Sequence, residues 1–143
     1  MTGVSGQGHR SVPHTADLRI EAWGPTRETC LAEAVRGLVC SFADVTGAEP
    51  HRTRVRHLTS GPAEDLLVAA VDEVIYWLDA EGEIPVSVVV RPAADDGVDL
   101  VLSLAAAGEA EIIGAAPKAP SLHDLRCAPD AAGQWSCSVT IDV

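Results

Sequence analysis

Two aspartates near opposite ends of the chain are the residues best placed to do chemistry together. Asp17 opens the alternating run Leu18-Arg19-Ile20-Glu21-Ala22-Trp23, and Asp142 sits at the end of a second run that finishes Thr140-Ile141-Asp142-Val143. Alternation with a period of two is the pattern of a half-buried strand. It gives Asp17 the parity of Arg19 and Glu21, and Asp142 the parity of Ser138 and Thr140, all opposite the apolar residues. If the two runs pair, both carboxylates and a carbonyl or terminal carboxylate oxygen of Val143 meet on one accessible face. Such a donor set offers only oxygen, which suits a hard divalent cation such as Ca²⁺, Mg²⁺ or Mn²⁺. A lone pair of surface aspartates is ordinarily just solvated charge. His14 and His123 are the further candidates, as ligands or proton carriers, although their spacing fits no zinc motif and a histidine at a strand end commonly serves a structural hydrogen bond.

Beyond these, the chain shows no Gly-rich phosphate loop, no G-x-S-x-G and no H-E-x-x-H, so nothing in it independently announces an enzyme. Cys30, Cys40, Cys127 and Cys137 have no C-x-x-C spacing and lie within apolar patterns, which reads as reduced core thiols rather than a zinc site or disulfides. Arg52, Arg54 and Arg56 alternate along one face of the run His51–Leu58. Three guanidiniums in a row could read a phosphate or an acidic partner, but they also protect an edge strand from pairing with another molecule. Nine arginines accompany a single lysine, Lys118. Its compact ammonium can approach one oxygen in a way that a planar guanidinium cannot.

The elements that must position these groups follow from patterning. A chain of 143 residues with 47% apolar content suits one domain. Residues 1–12, rich in Gly and polar side chains, are expected to form a flexible tail, and residues 13–143 the domain. Thr26 is a candidate N-cap for a helix whose apolar stripe is Leu31, Ala34, Val35, Leu38, Val39 and Phe42. Ser60-Gly61-Pro62 opens a second helix with Leu66, Leu67, Ala70, Val71, Val74, Ile75 and Leu78 on its apolar face, ending over Asp79–Gly82. Residues 84–90 and 98–104 read as a hairpin around Asp95-Asp96-Gly97, with a weakly patterned connector over 109–114. A strand over 118–127 must begin at an edge or bulge, because Pro117 and Pro120 cannot donate to a ladder. The last run points Trp135, Cys137, Val139 and Ile141 inward and Ser136, Ser138, Thr140 and Asp142 outward. The order β-α-β-α-β-β-β-β implies an α+β fold: a single two-layer domain in which two helices cover one face of a largely antiparallel or mixed sheet.

Charge narrows the partners. A net charge of −11 opposes a salt-driven grip on RNA or DNA and favours a basic protein surface or a divalent cation, while also simply keeping a small domain soluble. The apolar stretch Leu66–Leu78 is broken by Asp72 and Glu73, far short of the roughly 20 residues that span a bilayer. No apolar h-region precedes Pro13, so a cytoplasmic protein without membrane contact is expected.

Several short pieces, taken in order, make the sequence resemble an archease over residues 14–143. They are His14-Thr15-Ala16-Asp17 before a strand; Leu66-Leu67-Val68 and Asp72-Glu73-Val74-Ile75-Tyr76 on the second helix; Gly108-Glu109; Lys118-Ala119 followed by Leu122-His123-Asp124-Leu125; and Gly133-Gln134-Trp135 through Ile141-Asp142-Val143. The resemblance implies an archease-like fold and an accessory protein of RtcB-type tRNA-splicing RNA ligases, which join RNA ends with GTP and a divalent metal. On that reading the chain promotes guanylylation of the ligase and its multiple turnover without being a ligase itself, and meets tRNA only indirectly. The family's metal site maps onto Asp17, Asp142 and Val143, and its functionally important acidic and basic positions onto Glu109 and Lys118. Where family members commonly carry an aromatic after the Lys-Ala unit, this chain has Pro120-Ser121-Leu122. Two rival readings belong to other classes. One is a small metal-dependent phosphate-ester hydrolase with Asp17 and Asp142 as ligands and His14 or His123 as acid–base. The other is a structural tRNA-binding adaptor using Arg52, Arg54 and Arg56.

Overall fold

The alternating runs do become strands, and their pairing builds most of the molecule. The computed structural model describes residues 6–13 and 17–143. In order, the elements are β1 (Gly8–Pro13), β2 (Asp17–Gly24), α1 (Arg27–Phe42), β3 (Ala43–Asp44), β4 (Arg52–Leu58), α2 (Ala63–Glu81), β5 (Glu83–Pro92), β6 (Val98–Ala106), a 3-10 turn at Ala107–Glu109, β7 (Glu111–Ile112), β8 (Ala119–Pro129) and β9 (Trp135–Asp142). The strands form a four-stranded sheet in the order β1-β2-β9-β8, a three-stranded sheet β4-β6-β5 and a short β3-β7 pair, all antiparallel. The α+β class therefore holds, but the single sheet expected from element order is three. Each helix packs on both larger sheets: α1 against β1, β2 and β9 and also β5, and α2 against β8 and also β4 and β5.

The tail expected over residues 1–12 stops short, because Gly8–Pro13 pairs with β2 as an edge strand. Its sequence has no apolar alternation to betray it. Contacts made elsewhere hold it instead. A Cβ on Gly8 would stand 2.6 Å from the Trp23 ring, and one on Gly37 of α1 would stand 3.1 Å from His9, so small residues let β1 and α1 approach. Glu33 of α1 then clamps the strand, accepting from Gln7 Nε2 at 2.6 Å and lying 2.8 Å from His9 Nδ1, while Arg36 joins it at 2.7 Å and donates to the Val88 carbonyl of β5. Burial by itself would raise the Glu33 carboxyl, but the hydrogen bonds from His9 and Gln7 and the charge of Arg36 outweigh it and hold the group below the ordinary range.

One end of each helix is fixed by a recognisable cap. Thr26 caps α1 by accepting from Thr29 N at 3.1 Å, and Thr29 Oγ1 accepts from Thr26 N at 3.1 Å, a reciprocal capping box. At the end of α2, Gly82 adopts φ 64°, the left-handed turn that glycine enters at no steric cost.

The arginine stripe of β4 is turned toward α2 and the sheet beside it. Arg52 Nε lies 3.0 Å from Glu83 Oε2, which also meets His51; Arg54 stacks its guanidinium 5.8 Å from the centroid of a Trp77 ring; and Arg56 Nε is 3.7 Å from Glu73 Oε1. β4 is indeed an edge strand. Its cations each have a partner on α2 or β5, although Arg54 and Arg56 remain exposed.

At the other end of the same sheet His57 links β4 to the β5–β6 turn, with Nδ1 2.9 Å from Asp99 and Nε2 2.9 Å from Asp95. Asp99 and then Asp95 raise the imidazole above its ordinary value. A raised histidine contributes stability that is fully present below its unfolded pKa of about 6.5 and is lost as pH rises through the folded value. His57→Gln should therefore flatten the fall in thermal midpoint just above pH 6.5, as read by melts across that window. An unchanged pH profile would contradict the clip.

Candidate functional site

The register of β2 and β9 sets Asp17 directly opposite Asp142, with Arg19 opposite Thr140 and Glu21 opposite Ser138. Directly opposed residues on antiparallel strands share a face, with their Cβ atoms about 4.5–5.5 Å apart. On its other side Asp142 is opposed by Ala119 of β8, and its carbonyl accepts from Lys118 N at 2.8 Å. Three strand ends thus converge on Asp142. Asp17 is half-buried with Oδ1 closed off from solvent, Asp142 is exposed and Val143 is half-buried.

Carboxylate oxygens are the donor type that a hard cation takes. Two like charges placed opposite one another in a ladder repel, and a divalent ion between them converts that repulsion into attraction. Both side chains offer carboxylate oxygens, and Oδ1 of Asp17 is already withdrawn from water.

The same face continues away from the aspartates as a groove of about 450 Å³ lined by Arg19, Glu21, Asp124, Leu125, Arg126 and Ser138. Within it Arg19 Nε lies 3.4 Å from Glu21 Oε2, and Glu21 also accepts from Arg10 Nε at 2.5 Å. Arg19 and Glu21, which share the parity of Asp17, line this groove. The polar side of β9, expected to face outward, is instead covered: Ser138 and Thr140 are each only 8% exposed. The reason is that β9 is an interior strand, flanked by β2 and β8, with the longer Glu21 and Arg19 standing beside them.

The remaining candidates separate. Lys118 is exposed and tied to the aspartate corner through its backbone. Glu109 ends the 3-10 turn and accepts from Glu49 N at 3.2 Å, which anchors it to the loop before β4. His123 lies where the β8–β9 register slips between Ser121 and Arg126; it is 83% exposed and its Nε2 is 3.2 Å from Asp124. That slip turns the imidazole toward its neighbour in sequence. His14 lies outside the described residues.

The cysteines also need correction. Cys40 is exposed and is not a core thiol. The other three are buried and free, but they are not scattered: Sγ of Cys30, Cys127 and Cys137 all lie within 4.8 Å of one another. Hydrogen bonds from Cys137 and Cys30 pull the Cys127 thiol below its ordinary value, while hydrogen bonding to Cys127 pushes Cys137 and Cys30 above theirs.

A small α+β domain with two opposed aspartates at converging strand ends is the class of molecule this geometry defines. The profile of the archease protein family matches residues 9–143, and the chain belongs to that family. Among curated relatives, the probable protein archease of Mycobacterium tuberculosis is 52% identical over 136 residues, 95% of this chain and 75% of its own length. Protein archease of Methanosarcina barkeri is 24% identical over 143 residues, 96% of this chain and 97% of its own. Among solved structures, the solution structure of Methanobacterium thermoautotrophicum protein 1598 superposes with a TM-score of 0.71, covering 95% of this chain and 99% of that one at 23% identity, a likeness of fold. Family membership supports an accessory role. No described helix is long and apolar enough to cross a membrane.

Proposed function

We propose that this chain is a cytoplasmic activator of an RtcB-type RNA ligase in tRNA splicing or RNA repair, and that it performs no turnover of its own. The observation that supports this most is the direct opposition of Asp17 and Asp142, with Lys118 joined to Asp142 at the same corner. Asp17, Asp142 and a main-chain oxygen of Val143 would hold a divalent cation. When bound, that cation supplies positive charge where a nucleotide triphosphate must be neutralised. Asp142 and Val143 present it at an exposed edge, suited to docking at the mouth of a ligase active site. Lys118 extends from the same edge and reaches a phosphate or a ligase carboxylate as a point charge. Glu109, held apart by Glu49, and the exposed His123 offer further polar contacts to the ligase. Contact with tRNA runs through the ligase, since a net charge of −11 opposes a direct grip on the phosphate backbone.

The test is ligase guanylylation and multiple-turnover joining, with and without this protein. Wild type should stimulate both, and Asp17→Asn with Asp142→Asn should cut the stimulation at least about tenfold, since loss of a metal ligand exceeds the 10–100-fold typical of outer partners. No stimulation by wild type, or full stimulation by the double variant, defeats the reading. Chelator-sensitive hydrolysis of phosphate esters by the isolated protein would favour the hydrolase instead.

A further inference from the structure

We propose that Cys30, Cys127 and Cys137 form a buried three-thiolate site for one soft monovalent cation, Cu(I), independent of the aspartate corner. Three different elements build it. Cys127 and Cys137 stand directly opposite each other in the β8–β9 ladder, and Cys30 comes down from the first turns of α1, donating to the Ala22 carbonyl of β2 at 3.7 Å. All three sulfurs lie within 4.8 Å of one another. A planar trigonal site with metal–sulfur bonds of about 2.3 Å needs sulfurs roughly 4 Å apart, so closure requires contraction of less than about 1 Å.

Chemistry selects the ion. Thiolates alone favour soft cations, and Zn²⁺ in a closed structural site takes a fourth ligand. Here the cysteines are 0%, 3% and 1% exposed, and the cluster contains no fourth His, Cys, Asp or Glu among the described residues. Three-coordinate Cu(I) fits without one. Binding releases three thiol protons to solvent, copper remains in the +1 state, and the complex carries two negative charges. Those charges are partly balanced within the fold: Cys30 sits near the positive end of the 16-residue α1, and the Arg126 guanidinium acts on both Cys30 and Cys127, opposed at Cys127 by Glu64 of α2.

The full reduced chain should be titrated anaerobically with Cu(I) against bathocuproine disulfonate. One equivalent should be withheld from the chelator, and X-ray absorption should show three sulfur neighbours and no nitrogen or oxygen. Cys127→Ala and Cys30→Ala should each lower the affinity on the order of a hundredfold or more, and Cys40→Ala should leave it unchanged. The absorption spectrum of the wild type decides the matter even if a cysteine variant fails to fold. No retained copper, tighter retention of Zn²⁺ than of Cu(I), a two-sulfur spectrum, or a Cys127–Cys137 disulfide in place of metal uptake would each overturn the proposal.

Discussion

Asp142→Asn should weaken Ca²⁺ or Mn²⁺ binding on the order of a hundredfold, and Asp17→Asn comparably, as measured by calorimetric titration. Asparagine keeps the size of the side chain and one carbonyl oxygen, so the change isolates charge from shape. The two effects should be far from additive, because both groups hold one ion and losing either removes most of what the other contributes. The same substitutions should act in the opposite direction on the metal-free protein. Asp17 and Asp142 are opposed in the ladder, and relieving a like-charge pair there stabilises by about 0.2–1 kcal/mol. Wild type at a hundredfold excess of cation over Kd should gain about 2.7 kcal/mol, which the variants should lack. A melting curve with and without cation therefore reads both signs at once. Unchanged affinity in both variants would remove the aspartate corner as a cation site, leaving the ligase assay to be explained by some other surface.

The aspartate corner was legible because strand parity is a local property. The period of Leu18, Ile20 and Ala22 and that of Cys137, Val139 and Ile141 fix which residues face the core, and a one-residue slip would expose all of them. Given that the two runs pair, Asp17 and Asp142 must share a face. What parity could not give was anything decided between elements. Cys127 and Cys137 are ten residues apart in sequence and Cys30 lies on a helix, so no spacing rule unites them; only the β8–β9 register and the seat of α1 do. The β4 arginines were readable as an edge-strand feature, but not that Trp77 and Glu73 of α2 would take two of them. Glu109 and Lys118 are near in sequence, yet the chain ties one to Glu49 and the other to Asp142. β1 was missed for a different reason. Its pairing is stabilised by Glu33 and by the closeness that Gly8 and Gly37 permit, and none of these marks a strand by composition.

The largest effect on stability is expected from Phe42→Ala. Phe42 is the chain's one phenylalanine, closes α1, and is 1% exposed within the core. Removing a buried ring loses its transfer free energy and leaves a cavity, together about 3–5 kcal/mol, against a total stability of about 5–15 kcal/mol for a domain. For a chain of this length that corresponds to a fall in thermal midpoint of roughly 10–20 °C. Urea unfolding should show it as a lower midpoint with an unchanged slope. Phe42→Leu keeps most of the volume and should cost far less, which separates a packing loss from a disturbed helix end. The damage should also spread in a stated direction. The Phe42 carbonyl accepts from Ile113 N at 2.9 Å, and a Cβ on Gly114 would stand 2.3 Å from the Ser41 carbonyl, so the segment after β7 lies hard against the end of α1. Hydrogen exchange at Ile113 should quicken more than at the β2–β9 ladder, because that ladder belongs to a different sheet from β3 and β7. A loss below about 1 kcal/mol, or equal loosening at Asp17 and Ile113, would mean that Phe42 does not hold this segment in place.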